Sequence, residues 1–306
     1  MSGAVEAENG AAAPACLPAG PAAPPRGFRL PPGAWDTHAH VIGGDAAHPF
    51  VAGRSYTPPP VGAEDYVAML DTVGLAHGVL IQISVHGTDN RLIVDALRRH
   101  PTRLRGVVSI DGDESDAELG ELKAAGVCGV RLNELYAGGS GTERLRRIAE
   151  RCRELGWHLD LALHGPRLNA LAPVLRTLGL PLVIDHMGWC ATADGVAHPD
   201  FQAVLSLVGD ADCWVKLSGV YRLSALAPPY PDAAPLVRAL LEAAPRRCIW
   251  GSDWPHVALN DPARMPQPGD LLDALAGHVG DDPLLQAVLV DNPLRLFGQP
   301  GTPVNG

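Results

Sequence analysis

From about residue 34 onward, short apolar runs alternate with longer stretches whose apolar residues recur at helical spacing. Eight of the short runs read as strands: residues 34–41, 78–84, 104–110, 127–132, 158–164, 182–186, 213–218 and 248–253. Helix-like stretches fall between them, among them 63–73, 89–99, 115–125 and 142–155. Ser115 followed by Glu118 is a capping-box pattern, and Gly156 is a usual helix stop. Eight strands alternating with helices predict an α/β fold, a closed (β/α)8 TIM barrel forming a single domain. An open doubly wound sheet is the rival, but it would carry a glycine-rich phosphate turn after the first strand. Gly43-Gly44 lacks that spacing, and no internal repeat is apparent.

The polar exceptions to this pattern carry the chemistry. Buried parallel strands read as nearly continuous apolar runs. Here the first ends in Asp36-Thr37-His38-Ala39-His40, the fifth in Leu163-His164, the sixth in Asp185-His186 and the eighth in Ser252-Asp253-Trp254. Side chains alternate faces along a strand, so His38 and His40 point the same way and suit one divalent metal. In such barrels the active site is built from the C-terminal ends of several strands. The five residues His38, His40, His164, His186 and Asp253 can therefore converge, although each alone has a structural explanation: a hydrogen-bonded histidine, or a carboxylate capping a helix.

Composition narrows the class. A chain of 306 residues fits one barrel plus a tail, and a formal net charge of −10 argues against nucleic-acid partners. Residues 1–30, rich in Ala, Pro and Gly, read as a disordered tail rather than a secretory leader, leaving residues 31–299 as the catalytic domain. No stretch is long and apolar enough to predict a membrane span. The six cysteines form no C-x-x-C pair, and Cys128, Cys213 and Cys248 sit in apolar runs, so reduced thiols and a cytoplasmic location are expected. Oligomeric state is not addressed by the sequence.

The strand-end residues match a known pattern. With His38-Ala39-His40, Leu163-His164, Ile184-Asp185-His186-Met187-Gly188 and Trp250-Gly251-Ser252-Asp253-Trp254-Pro255-His256, the chain resembles the amidohydrolase superfamily. It is most similar to the amidohydrolase-related branch that contains 2-pyrone-4,6-dicarboxylate lactonases and related lactone hydrolases. The stretches 56–58, 82–91, 129–133, 216–218, 222–224 and 291–296 also carry that likeness, which spans about residues 33–298. Two features depart from it. Trp189 stands where those lactonases place an arginine, and Glu134-Leu135-Tyr136-Ala137 replaces a more basic stretch. A substrate with two carboxylates wants several cationic partners, so these losses argue against that particular substrate.

The resemblance implies a metal-dependent hydrolase that opens the lactone ring of a small, anionic, carboxylated molecule. It implies one divalent ion, zinc first and manganese second, on His38, His40, His164 and Asp253. A single ion is expected because no lysine ends the fourth strand. Asp253 would also move the proton of the attacking water, and His186 would donate to the oxyanion, its rival role being a direct ligand. Arg131 and Arg222 would read a substrate carboxylate, the structural alternative being a salt bridge to a loop; Tyr56 and His256 would hydrogen-bond substrate, with Arg54 a weaker candidate. His77, His100, His198 and His278 are expected to be solvated, while His86 falls near the mouth. Three alternatives stay open: a decarboxylase on the same metal site, a metal-independent lactonase of the pyrone-dicarboxylate type, and a barrel that only binds a ligand.

Overall fold

The structure, a computed structural model, describes residues 13–210 and 212–303. Eight parallel strands form one sheet in sequential order: β1 (Trp35–Ala39), β2 (His77–Ile81), β3 (Leu104–Val108), β4 (Val127–Asn133), β5 (His158–Ala162), β6 (Leu182–Ile184), β7 (Cys213–Lys216) and β8 (Cys248–Ile249). Each lies within a run read as a strand from the sequence, β2 and β4 reaching one residue beyond it. Except at β4, the runs end later than the strands because their last residues leave the ladder to build the mouth. The sheet closes between β8 and β1 by single hydrogen bonds rather than a full ladder: Thr37 N to Trp250 O, 3.0 Å, Asp253 N to His38 O, 2.8 Å, and His40 N to Trp254 O, 2.9 Å.

The outer ring of helices comprises α1 (Ala63–Val73), α2 (Arg91–Arg99), α3 (Asp116–Ala125), α4 (Leu145–Leu155), α5 (Gly165–Leu175), α6 (Pro199–Asp210), the short α7 (Val220–Leu223), α8 (Ala234–Ala243) and α9 (Pro268–Val279), with α10 (Asp282–Gln286) and α11 (Asn292–Phe297) following. Helix α3 starts with the expected capping box, Ser115 Oγ accepting from Glu118 N while the Glu118 carboxylate accepts from Ser115 N. Helix α4 stops at left-handed Gly156, which returns its N–H to the last turn.

Two apolar layers follow from strand alternation. Outward residues such as Leu80, Val108, Val130, Leu159, Leu161 and Val215 pack beneath the helices. Inward Trp35, Val79, Ile81, Val107, Cys128, Val183, Trp214 and Ile249 fill the lower barrel with Phe297 of α11. Above this plug the interior turns ionic, with Asp160, Asp185, Arg131 and Lys216 all buried. All six cysteines are free thiols, and Cys128, Cys213 and Cys248 are buried as expected. No helix among the described residues is long and apolar enough to cross a membrane.

Of the tail expected over residues 1–30, residues 1–12 lie outside the described residues. Residues 13–30 have no helix or strand, but they are tied to the body. Cys16 N donates to Thr57 O at 2.9 Å, Thr57 N to Pro14 O at 2.7 Å, and Leu17 N to Leu259 O at 3.0 Å. Further on, the Arg26 and Gly27 amides cap the Asp273 carboxylate. His278 also departs from expectation: it is buried, and its Nε2 lies 2.9 Å from the Tyr230 carbonyl.

Candidate active site

The mouth of the barrel gathers around Asp253. The chain leaves β8 through Gly251 and Ser252, whose hydroxyl and amide both donate to the buried Asp36 carboxylate, at 2.6 and 2.8 Å. Asp36 also accepts from His38 N, so it pins β1 to the β8 end. Gly251 is required there, because a Cβ would lie 2.5 Å from the Cβ of His38. Asp253 then adopts a left-handed backbone, φ 61°, which aims its carboxylate at the axis.

The two oxygens of Asp253 face different partners. Oδ1 lies 3.7 Å from His38 Nε2 and 3.7 Å from His40 Nε2. Oδ2 accepts from Tyr221 Oη at 2.7 Å and from Arg222 Nε at 2.6 Å, and His186 Nε2 stands 3.7 Å away. Burial alone would raise this carboxyl, but Arg222 foremost, with His186 and His40, holds it well below the usual carboxylate range. Asp253 is therefore an ionised carboxylate inside the protein.

The histidines are oriented from behind. His40 Nδ1 lies 2.7 Å from the Ile81 carbonyl, which only accepts; the proton sits on Nδ1 and the Nε2 lone pair faces Asp253. His38, completely buried, has Nδ1 3.2 Å from Asp185 Oδ1, and its Nε2 has no hydrogen-bond partner among the described residues. The rings of His38 and His40 are 5.0 Å apart, on one face as the His-x-His spacing implies. His186 comes from a left-handed run, His186, Met187, Gly188 and Trp189, that follows β6. Its Nδ1 meets Ser218 Oγ at 2.8 Å, and burial pushes the imidazole down to about 4. Gly219 makes room for it, since a Cβ there would lie 2.8 Å from the His186 ring.

Not every predicted residue joins this centre. The donor atoms of His38, His40 and Asp253 lie within 4.8 Å of one another, as do those of His38, Asp185 and His186. His164 belongs to neither group. It follows the end of β5 as the N-cap of α5, with an exposed side chain, so it stands at the rim, its ring 6.0 Å from that of Trp189. Arg131 is engaged inside the barrel: Nη2 and Nε donate to Asp185 Oδ2 at 2.9 and 3.2 Å, and Nη1 to Gln82 O at 3.2 Å. This is the salt-bridge alternative to a substrate reader. Arg222 also has an internal partner, but it flanks the mouth between the rings of Tyr221 and Trp189. Tyr56 is buried against Tyr136, its hydroxyl 3.3 Å from Ser84 Oγ. His256 is buried edge-on to Tyr221, and neither ring nitrogen has a partner among the described residues; burial pushes it down to about 3. Arg54 is held by Thr57 Oγ1 and Val51 O. His86 is buried near the mouth, accepting from Gly43 N.

The donor set fits one divalent ion. Two imidazoles and a carboxylate suit zinc-type coordination. The unpartnered, fully buried Nε2 of His38 is the atom such an ion would satisfy. Tyr221 and Asp160 were not marked by the sequence, and Lys216 entered only as part of the stretch 216–218, with no role. Tyr221 lies on a one-turn helix with no motif, and the Lys216–Asp160 contact spans two strands.

An eight-stranded barrel whose mouth brings a His-x-His pair from β1 to a carboxylate after β8 defines a class of barrel hydrolases with a metal-type centre. The amidohydrolase family profile matches residues 35–299, and the chain belongs to that family. A 4-sulfomuconolactone hydrolase of Rhizobium radiobacter is 41% identical over 90% of this chain and 93% of its own length. A 2-pyrone-4,6-dicarboxylate hydrolase of Comamonas testosteroni is 36% identical over 88% and 92%. Among solved structures, a putative 2-pyrone-4,6-dicarboxylic acid hydrolase from Pseudomonas putida superposes with a TM-score of 0.75 at 35% identity, covering 88% of this chain and 98% of that one.

Proposed function

We propose that this chain, through a catalytic domain spanning residues 31–299, is a lactone hydrolase that adds water across the ring ester of a small anionic molecule. The observation that carries this reading is the divided Asp253 carboxylate, with one oxygen facing two imidazoles and the other held by Tyr221 and Arg222. The 4-sulfomuconolactone hydrolase, similar over nearly its whole length, supports it. In the reaction, water oxygen bonds to the carbonyl carbon, the ring C–O bond breaks, and the water proton ends on the released oxygen. Asp253 is the group that accepts and relays that proton. His186, neutral and receiving a hydrogen bond from Ser218 on Nδ1, presents Nε2–H to the developing oxyanion. Arg222, Tyr56 and His256 contact the substrate, and its anionic group pairs with Arg222. Arg131 supports the site from below.

His38, His40 and Asp253 would hold one divalent ion, zinc by ligand chemistry, with manganese second. Such an ion supplies Lewis acidity and acidifies water. His164 acts at the rim, since its donor atoms lie outside the clustered set. Trp189 and the stretch Glu134–Ala137 favour a substrate with fewer carboxylates than a pyrone dicarboxylate. The free thiols support a cytoplasmic location.

The test is product analysis with 4-sulfomuconolactone and 2-pyrone-4,6-dicarboxylate, alongside metal analysis of the purified protein. Uptake of one water is the expected outcome, read as a mass gain of one water for the pyrone dicarboxylate and as ring opening with release of sulfite for the sulfonated lactone, the latter turned over faster and about one equivalent of metal bound. Release of CO₂ from an unsaturated acid would replace this reading with a decarboxylase.

A further inference from the structure

Two features marked in the sequence but unused by the proposed reaction meet at one side of the mouth: Gly43-Gly44, on the loop after β1, and His86, in the Ser84–His86 turn after β2. His86 is buried. Its Nε2 accepts from Gly43 N at 3.0 Å, and its Nδ1 lies 3.2 Å from Pro49 O. An amide N–H only donates and a carbonyl only accepts. Both neighbours therefore require the same ring, neutral and with its proton on Nδ1. The segment between them is folded on itself, Gly44 N donating to His48 O at 2.8 Å. Gly43 has no room for a side chain, since a Cβ would lie 2.5 Å from that of His48. One imidazole thus holds both ends of a closed turn.

The turn that carries His86 is tied down from below: Gln82 Nε2 donates to Gly87 O at 3.1 Å and to Asp89 O at 2.8 Å. It meets the same loop again further along the chain. Val51 N donates to Val85 O at 2.9 Å, and the Tyr56 hydroxyl lies 3.3 Å from Ser84 Oγ. The loop from Gly43 to Tyr56 is therefore seated on this turn at Gly43, Pro49, Val51 and Tyr56, and His86 supplies the first two contacts.

We propose that His86 is a positioning residue: as a neutral ring it seats the loop after β1 on the turn after β2 and so fixes Tyr56 at the mouth, and taking up a second ring proton unseats the loop. This rests on the reading of Tyr56 as a substrate contact; His86 acts through the loop and not on the substrate. An imidazolium carries N–H on both nitrogens, so its Nε2–H would oppose Gly43 N–H, two donors with no acceptor between them. The charged and titratable groups around the ring are Asp45 and His48 of the loop and Asp89 of the turn, and the Phe50 ring, 5.3 Å away, covers another side. Burial foremost, with His48, pulls His86 below the usual histidine value against Asp89 and Asp45. The loop is therefore seated at neutral pH and released only in acid.

The test compares the native protein with His86→Gln and His86→Ala. Glutamine keeps an acceptor and a donor on a group that does not titrate, and alanine keeps neither. The first readout needs no substrate: deuterium exchange of the peptide spanning residues 41–57, corrected for the intrinsic effect of pH. At neutral pH, exchange should be about tenfold faster in His86→Ala and native-like in His86→Gln. As pH falls, within the range where circular dichroism shows the fold intact, the native peptide should lose protection and the glutamine variant keep it. Native-like exchange in the alanine variant, or identical pH profiles for the native and glutamine proteins, would overturn the proposal. The pH comparison decides alone if the alanine variant does not fold. The second readout is turnover of 4-sulfomuconolactone: KM should rise about tenfold in His86→Ala with kcat little changed, and recover in His86→Gln. Faster exchange with an unchanged KM would overturn the positioning of Tyr56. A native protein that shows the exchange pattern and hydrolyses no lactone would refute the lactonase reading and leave the seating of the loop by His86 in place.

Discussion

Asp253 shows how much one side chain depends on its neighbours. Its carboxylate is buried, which by itself would favour the neutral acid, yet Arg222 and Tyr221 keep it charged and fix its plane. The Tyr221 hydroxyl gives one hydrogen bond to a charged acceptor, a contact worth about 1.5–3 kcal/mol. Tyr221→Phe keeps the ring and its packing and removes only that bond. The expected result is a drop in kcat of about 10–100-fold with an unchanged circular dichroism spectrum; unchanged kcat would show that Arg222 alone holds the carboxylate. Asp253 was legible from its place at the end of the eighth strand. Tyr221 was not, because its role arises from a contact 32 residues away.

At the level of elements, the segments that shape the site are the irregular ones. Trp189 and His186 owe their positions to a left-handed run after β6, and Asp253, His256 and Ala258 to separate left-handed residues after β8. The N-terminal segment adds a strap across two loops of the mouth. Pro14 and Cys16 exchange hydrogen bonds with Thr57, and Ala258 N donates to Cys16 Sγ at 3.3 Å. Thr57 follows Tyr56, and Val257, next to Ala258, accepts from Arg222. Deleting residues 2–17 should therefore leave the barrel folded, by circular dichroism, while lowering kcat/KM about tenfold, the effect of a lost positioning contact of about 1.4 kcal/mol. Unchanged kinetics would make the strap irrelevant to the site. The Ala-, Pro- and Gly-rich composition suggested disorder. It could not show that the backbone of residues 14–17 finds partners on the β1 and β8 loops.

For the whole molecule, the ionic interior has a cost at low pH. His158, at the foot of β5, is buried, and desolvation foremost, with Lys216 nearby, pushes it down to about 3. Because the folded value lies below the unfolded 6.5, the unfolded chain takes up a proton that the fold refuses. Stability from this group is complete above about pH 6.5 and declines as pH falls toward about 3, by up to about 1.4 kcal/mol per unit. Urea midpoints at pH 7 and pH 5 should show this loss in the native protein and a smaller one in His158→Gln. Equal losses in the two proteins would place the acid sensitivity elsewhere.

The sequence by itself determined the barrel and most of its centre. Alternating apolar runs specify eight buried strands, and a histidine or acid at a strand end can project into the mouth, so His38, His40, His186 and Asp253 were readable as candidates from their order along the chain. The helix caps at Ser115 and Gly156 were equally local. Tertiary structure decided what depends on distance across the barrel. It moved His164 to the rim, because β5 ends at Ala162 and the chain turns into α5. It committed Arg131 to Asp185, joined Lys216 to Asp160 and His38 from three different strands, and folded the N-terminal segment over two loops. Strand ends follow from periodicity along the chain, whereas charge pairing and tautomer follow from which strands become neighbours once the sheet closes.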